Sequence, residues 1–401
     1  MSTPRPAVLW SAPFVAVLAA TVLAFGGYAL LLPVVPLHAT AGGASPGAAG
    51  ATTGVFMAAT VAAQLAVPAV LRRVGSRAGM VLGVLALGAP AVALVATASL
   101  PVLMAVAVVR GLGFGLVTVT GAALIADLAP PARRGRATGV YGLAVGLPQL
   151  GLLSGGVWAY EAVGGTPVLL AGALLPLAAV PLCARLPGRR TAPASAPSGR
   201  RALPVSAALG PWSTMVVSAA AAGGVITVLP LWTPGPSTSG LAGGTVVAAT
   251  ALAVLTVGQL VGRSAAGELA DRRGSPGHRP VITLVGLAVV GLGALAVAVG
   301  GTSAGWVVLL GAGLVGLGFG AVQSDTLLSL FARAGPERSG TASTWWNTAY
   351  DTGTGLGAAA LSAVLGVAGG SAAFVVAAVA CVLIAPLGAR RGSRGDESRV
   401  S

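Results

Sequence analysis

The sequence predicts an all-α membrane protein in which twelve transmembrane helices form two pseudo-symmetric six-helix bundles. Three observations support this fold class. Hydrophobic residues make up 55% of the chain and charged residues only 8%, whereas an ordinary soluble domain is about one quarter charged. The apolar residues form runs of membrane-spanning length, most arginines lie in alternate loops, and the two halves of the chain repeat short motifs in the same order.

Each apolar run is long enough to cross a bilayer as a helix, because about 30 Å of hydrocarbon requires about 20 residues at ~1.5 Å per residue. The first run is too long for a signal peptide and is interpreted as a helix. Gly and Pro interrupt the fifth to eighth runs, which membrane helices tolerate. In chain order, the runs lie at 12–36, 50–70, 78–98, 101–126, 138–160, 165–184, 209–233, 241–266, 280–300, 304–331, 340–367 and 370–389.

The arginines predict the topology. All 23 basic residues are Arg and the net charge is +14. The loops after even-numbered runs and both chain ends carry Arg, whereas the loops after odd-numbered runs carry none. Because positively charged loops stay in the cytoplasm, we expect a multi-pass protein of the bacterial cell (inner) membrane with both termini cytoplasmic. Charge spread over one face suits anionic membrane lipid, so no nucleic-acid partner is expected.

The chain divides into two halves around a polar linker. Residues 185–208 are rich in Pro, Ser and Arg, a composition typical of a flexible segment. They separate a first six-helix bundle, 1–184, from a second one, 209–389, which is followed by a tail at 390–401.

The two halves also share motifs in the same order, and such a repeat predicts a substrate site between the halves near mid-membrane. Two pairs are separated by 205 residues: GLGFG (111–115) matches GLGFG (316–320), and PARRGRA (131–137) matches PERSGTA (336–342). A third pair is separated by 199 residues: RRVGS (72–76) matches DRRGS (271–275).

The segment GELADRRGS, at 267–275, carries a family resemblance. It matches the pattern G-x-L-A-D-R-x-G-R-[KR] at Gly267, Leu269, Ala270, Asp271, Arg272 and Gly274. On this motif the chain resembles the major facilitator superfamily of secondary transporters, and on two partial matches described below it resembles in particular the drug or metabolite:proton antiporters. The resemblance implies alternating access and a conformational role for Gly267, Asp271, Arg272 and Gly274.

In the family, the Asp and Arg of this loop brace the two halves in the outward-facing state. We expect Asp271 to act in this way against the start of the fifth helix and the Arg133–Arg136 loop, and an ordinary solvated loop is the alternative. In the first-half copy, Pro68 replaces the Gly and Arg72 replaces the Asp, so the brace is expected only in the second half.

Two further features match the family in part. Arg110, in the fourth run, occupies a place where proton-coupled members carry an Arg, although the glycines after it run out of register. In the fifth run, Gly142 and Gly146 match the antiporter pattern G-x-x-x-G-P-x-x-G-G, but Pro148 comes one position late. An Arg about 14 Å deep is costly unless it faces a cavity or a partner. Generic helix packing remains the alternative for the fifth run.

The eleventh run is the most polar. Thr344, Asn347, Thr348 and Asp351 share one helical face, and a carboxylate near mid-membrane is paired, neutral or part of a transport path. A structural hydrogen-bond network is the alternative. Asp127 and Arg263 are interpreted as structural. The residues predicted for the substrate and proton pathway are Arg110, Asp351, Asn347, Thr344, Thr348, Trp346, Tyr350, Tyr28, Gln149 and Asp325.

The predicted function is secondary active transport, namely proton-coupled export of small organic compounds, with protons and substrate as partners and a monomer as the expected state. A nutrient importer or facilitator and a non-transporting receptor or scaffold remain alternatives. An enzyme is not expected, because no catalytic constellation is present. No cofactor or metal is expected, since neither a phosphate-binding loop nor metal-ligand spacing occurs; the proton motive force is the expected energy source.

Overall fold

The computed structural model describes residues 10–130, 133–188, 204–232, 243–272, 281–335 and 338–388. These described residues form thirteen α-helices and one short 3-10 segment. In order they are α1 (Ala12–Ala41), α2 (Pro46–Gly88), the 3-10 segment (Ala89–Val92), α3 (Ala93–Ala96), α4 (Leu100–Leu128), α5 (Arg134–Val163), α6 (Gly165–Ala178), α7 (Val180–Ala184), α8 (Val205–Leu231), α9 (Gly243–Arg272), α10 (Val281–Ser303), α11 (Gly305–Ala334), α12 (Ser339–Ala368) and α13 (Gly370–Gly388).

All twelve apolar runs are helical. The second and third runs share α2, which bends at Gly75, where φ is 80°, a value that favours glycine. The sixth run comprises α6 and α7. Ten segments of the described chain are long and apolar enough to cross a membrane, and one of them, Pro46–Ala96, contains two crossings. The polar α12 is not among the ten. The chain is therefore a multi-pass membrane protein, and the predicted all-α fold is confirmed.

The repeated GLGFG motif makes the same contacts in both bundles. A Cβ on Gly111 of α4 would lie 2.2 Å from the carbonyl oxygen of Phe56 on α2. The equivalent Cβ on Gly316 of α11 would lie 2.0 Å from the carbonyl oxygen of Leu255 on α9. In both places only a glycine lets the two backbones approach so closely.

Positive-φ glycines mark a second equivalence. Gly164, between α5 and α6, has φ 88°, and Gly369, between α12 and α13, has φ 85°. These two residues differ by the same offset of 205 as the two GLGFG copies. The helices α1–α7 and α8–α13 are therefore two copies of one arrangement, as the pseudo-symmetric repeat predicts.

The bundles meet along two pseudo-equivalent helix pairs, α2 with α12 and α5 with α9. We call the end of the molecule where α1 begins the terminal face and the other end the opposite face. The α2–α12 seam lies in the half near the opposite face and consists of small residues and one methionine in close contact. They are Gly47, Gly50, Gly54 and Met57 on α2 and Gly355, Ala358, Ala359, Ser362 and Ala363 on α12.

The α5–α9 pair is closed in the same half. Leu153 of α5 lies in one buried apolar cluster with Ala249 and Leu252 of α9. Towards the terminal face, a Cβ on Gly142 or Gly146 of α5, which share a helical face with Leu153, would meet nothing within 4 Å. The two bundles thus close on the opposite face, and this face of α5 borders open space towards the terminal face.

The predicted linker and tail lie largely outside the described residues, so their boundaries stay predictions. At the terminal face, the guanidinium of Arg77 donates a hydrogen bond to the carbonyl of Leu186. This bond ties the turn after Gly75 to the end of the first bundle.

Candidate functional site

Among the described residues, one buried hydrogen bond joins the two bundles at mid-depth. The Nε2 of Gln64 on α2 donates to Oδ2 of Asp351 on α12 at 2.7 Å, and both residues are buried. Asp351 lies one turn before Gly355, at the inner end of the α2–α12 seam. A hydrogen bond to an ionised carboxylate is about twice as strong as a neutral one, so the charge on Asp351 affects contact between the bundles.

An aromatic cluster of the first bundle borders this carboxylate. Tyr28 of α1 stacks on Phe114 with ring centroids 4.1 Å apart and on Phe56 at 5.8 Å. The phenol of Tyr28 also lies within electrostatic range of both Tyr350 and Asp351. A side chain of the first bundle therefore faces α12 at the same depth as Gln64.

Arg263 of α9 supplies a cation to the same region. Its guanidinium lies within electrostatic range of the Tyr350 phenol, and its side chain is exposed. The Ser324 hydroxyl of α11 donates to the Arg263 carbonyl at 2.8 Å, which fixes the backbone there. Among the described residues, no hydrogen bond or ion pair joins the guanidinium to another side chain.

These groups form what we call the central polar site, which draws on both bundles. It consists of Tyr28, Gln64, Arg263, Tyr350 and Asp351. Tyr28, Gln64 and Asp351 are buried, whereas Tyr350 is partly exposed and Arg263 is exposed. The site therefore combines a sealed carboxylate with an accessible cation, which suits proton binding beside an organic ligand.

Arg110 lies apart from Asp351. Its Nε donates to the carbonyl of Leu87 at 3.2 Å, and its guanidinium carbon lies 5.4 Å from the Phe56 ring centre. Phe56 precedes Gln64 by eight residues, about 12 Å along a helix. Each charged group thus has its own partners, and the transport roles of Arg110 and Asp351 stay predictions.

Arg110 and Tyr28 line a small pocket inside the first bundle, together with apolar and hydroxyl side chains of α1, α2 and α4. The cavity volume is about 20 Å³, room for roughly one water molecule. The pocket is too small for an organic substrate in this conformation, although Tyr28 connects it to the central polar site.

The predicted polar face of α12 is only partly directed at this site. Thr344 is exposed, and it and Asn347 and Thr348 bond to backbone carbonyls of their own helix. The indole of Trp346 donates to the Gln323 carbonyl of α11 at 3.2 Å, so it packs inside its own bundle. Tyr350 stands next to it, with ring centroids 5.8 Å apart.

Two other predicted pathway residues bond within their own bundles. The Gln149 amide donates to the Val145 carbonyl of the same helix at 3.1 Å. The buried carboxylate of Asp325 accepts a hydrogen bond from Thr283 of α10. Transport roles for both residues stay predictions.

The loop motif is described only in part. Arg272 pairs with Glu268, one helical turn earlier, at 2.8 Å, and both side chains are exposed. A Cβ on Gly267 would meet nothing within 4 Å. The side chain of Asp271 and the whole of Gly274 lie outside the described residues, so the brace through Asp271 stays a prediction.

The sequence reasoning did not assign Gln64 to the site and interpreted Arg263 as structural. A signal for both was present, because the offset of 199 that relates 72–76 to 271–275 also pairs Gln64 with Arg263. Gln64 and Arg263 are both polar residues inside apolar runs, and the repeat gives them the same position in the two bundles.

Comparison with known proteins agrees with the fold. No curated protein matches the chain. Among solved structures, a bacterial homolog of the human lysosomal transporter Spinster, inward-facing and occupied, superposes with a TM-score of 0.73 at 15% identity, covering 94% of this chain and 95% of that one. A POT peptide transporter superposes with a TM-score of 0.78 at 12% identity, covering 94% of this chain and 93% of that one.

A third structure, the nucleoside transporter NupG, gives a TM-score of 0.73 at 10% identity, covering 94% of this chain and 98% of the other. These likenesses concern the fold. The family match is independent of them and spans residues 17–358. The chain therefore belongs to the Major Facilitator Superfamily, and is a transporter rather than an enzyme.

Proposed function

We propose that this protein exports small organic compounds in exchange for protons, by alternating access, with Asp351 as the proton-binding residue. One observation carries the proposal: a buried carboxylate at mid-depth forms a hydrogen bond between the two bundles, from Gln64 to Asp351. Ionisable residues inside membrane helices are costly and are typical of proton relays.

The proton acts through this bond. The ionised Asp351 accepts a charge-assisted hydrogen bond from Gln64, which favours closure of the α2–α12 seam. Protonation removes the charge and weakens the bond, which favours opening on the opposite face. Proton binding and release therefore bias a two-state equilibrium between the bundles, as alternating access requires.

The arginine pattern orients this cycle. If positively charged loops are cytoplasmic, the terminal face with both chain ends lies in the cytoplasm of a bacterial cell. The open space beside Gly142 and Gly146 of α5 then lies on the cytoplasmic side and the seam closes the outer side. An exporter loads its substrate from that side, and the partial antiporter motif at Gly142 and Gly146 supports the same direction.

The test is flux in proteoliposomes with an imposed pH gradient and a panel of organic compounds. We expect accumulation driven by protons moving in the opposite direction. Movement of compound and proton in the same direction would support the importer, the second candidate. Absence of flux for the whole panel, with binding retained, would support a receptor or scaffold.

A further inference from the structure

We propose that Arg263 and the space opposite it on α5 form the subsite that recognises an anionic group of the transported compound. The inference rests on the proposed transport function and adds a substrate class to it. It replaces the structural interpretation that the sequence alone gave to Arg263.

The first step is the symmetry of the repeat. Contacts of the GLGFG glycines relate α2 to α9 at an offset of 199, since Phe56 and Leu255 occupy equivalent places. The same offset makes Gln64 and Arg263 equivalent. The turns at Gly164 and Gly369 relate α5 to α12 at an offset of 205. This offset makes Asp351 equivalent to Gly146.

The second step is the difference between the two interfaces. In the α2–α12 pair, the Gln64 amide meets a carboxylate. The repeat puts Arg263 and Gly146 at the equivalent positions of the α5–α9 pair. A Cβ on Gly146 would meet nothing within 4 Å, and the same holds for Gly142 one turn away. The position that carries a carboxylate on α12 is therefore a glycine bordered by open space on α5, and the repeat relates Arg263 to it as Gln64 is related to Asp351.

The third step is the cost of this arrangement. An arginine at membrane depth requires a cavity, a partner or both. Among the described residues the guanidinium of Arg263 has no ion-pair partner, while the partly exposed Tyr350 lies within its electrostatic range. A guanidinium binds carboxylate, sulfonate or phosphate groups through two parallel hydrogen bonds. An organic anion with an aromatic or apolar body fits this combination of charge and ring.

The test measures the local potential directly and requires no transport. In the Gly146→Cys variant, rates of thiol modification are compared for an anionic and a cationic methanethiosulfonate reagent of similar size. The native Cys183 and Cys381 are buried, so the unmodified protein provides the background rate. Since the added Cβ has room, this variant should fold, and Gly142→Cys provides a second position.

We expect Arg263→Gln to lower the ratio of anionic to cationic rates about tenfold, because one nearby unit charge is removed, and Arg263→Lys to keep it. Benzoate should slow the modification in the protein that retains Arg263, whereas neutral benzyl alcohol should not. An unchanged ratio in Arg263→Gln, or equal protection by both compounds, would overturn the proposal. Because no proton gradient is present, failure of this test leaves the proposed role of Asp351 intact. Failure of the transport test likewise leaves the anion subsite at Arg263 intact.

Discussion

The amide of Gln64 donates to the carboxylate of Asp351 at 2.7 Å, and the two residues belong to different bundles 287 positions apart. This contact lies at the inner end of a seam that otherwise consists of glycine, alanine, serine and methionine. The strength of the seam therefore depends on one titratable group. The first three of the following predictions concern this contact and the two helices that carry it.

Replacing Asp351 by Asn should abolish transport driven by a pH gradient. The asparagine carbonyl can still accept a hydrogen bond from Gln64, so folding and membrane insertion should persist while the titrating proton is lost. The measurement is proteoliposome flux with and without the gradient, beside energy-independent exchange of the same compound. Full gradient-driven flux in Asp351→Asn would leave Asp351 a structural residue.

Replacing Gln64 by Leu should favour the conformation that is open on the opposite face. A hydrogen bond to a charged group contributes about 1.5–3 kcal/mol, so the equilibrium should shift by roughly 10- to 100-fold. The measurement is the rate of oxidative cross-linking across the seam with the cysteine pair described in the next paragraph. This rate should fall, because the seam is open for a larger fraction of the time. Gln149→Leu is the matched control, since its amide bonds within one helix; equal rates in both variants would contradict the prediction.

A disulfide across the seam should arrest transport. A Cβ on Gly54 of α2 would lie 3.1 Å from the Cβ of Ala359 on α12, slightly shorter than the ~3.5–4.5 Å that separates the two Cβ atoms of a disulfide, so a small shift of the helices permits the bond. Oxidation of the Gly54→Cys/Ala359→Cys protein should stop flux, and a reductant should restore it. Undiminished flux in a fully cross-linked sample would mean that the seam does not open during transport.

Glycines at backbone contacts should be far less tolerant than glycines that face space. A Cβ on Gly262 would lie 1.9 Å from the carbonyl oxygen of Leu317, whereas one on Gly142 would meet nothing within 4 Å. We expect Gly262→Ala to destabilise the protein by about 1–3 kcal/mol and Gly142→Ala to be neutral. Thermal unfolding of the purified variants gives the comparison, and similar melting temperatures would refute it.

The topology predicts opposite labelling of two loops. Ser195→Cys, in the linker, should react with a membrane-impermeant maleimide only after cells are permeabilised. Ser237→Cys, in the loop between α8 and α9, should react in intact cells. The reverse pattern would place the termini outside the cell and reverse the orientation of the proposed cycle.

The helices could be predicted from the sequence because their signal is local. Apolar runs bounded by Arg, Gly and Pro fall within a few residues of the observed helices, and the main departure is α9, which continues to Arg272 through the polar GELADR segment. A helix continues there because its last turn lies at the terminal face, where polar side chains remain exposed.

The partners inside the site could not be predicted in the same way. A single amide in an apolar run, such as Gln64, gives no indication of which helix it faces, because the contact spans 287 residues. Residue counting placed Arg110 and Asp351 at similar depth, but counting ignores helix rotation. The structure directs Arg110 at Leu87 within its own bundle, whereas Arg263, interpreted from the sequence as structural, lies within electrostatic range of Tyr350 in the central polar site.

The GLGFG glycines have a consequence for how the protein can change over evolution. At Gly111 and Gly316 the nearest neighbouring atom is a main-chain carbonyl oxygen, so helix spacing inside each bundle is set mainly by backbone contact and not by the side chains that line the space between bundles. If the proposed subsite binds the cargo, we expect substitutions around Arg263 or Tyr350 to alter the preferred cargo while the frame keeps its dimensions. The chain separates a part that must stay constant from a part that is free to acquire a new specificity.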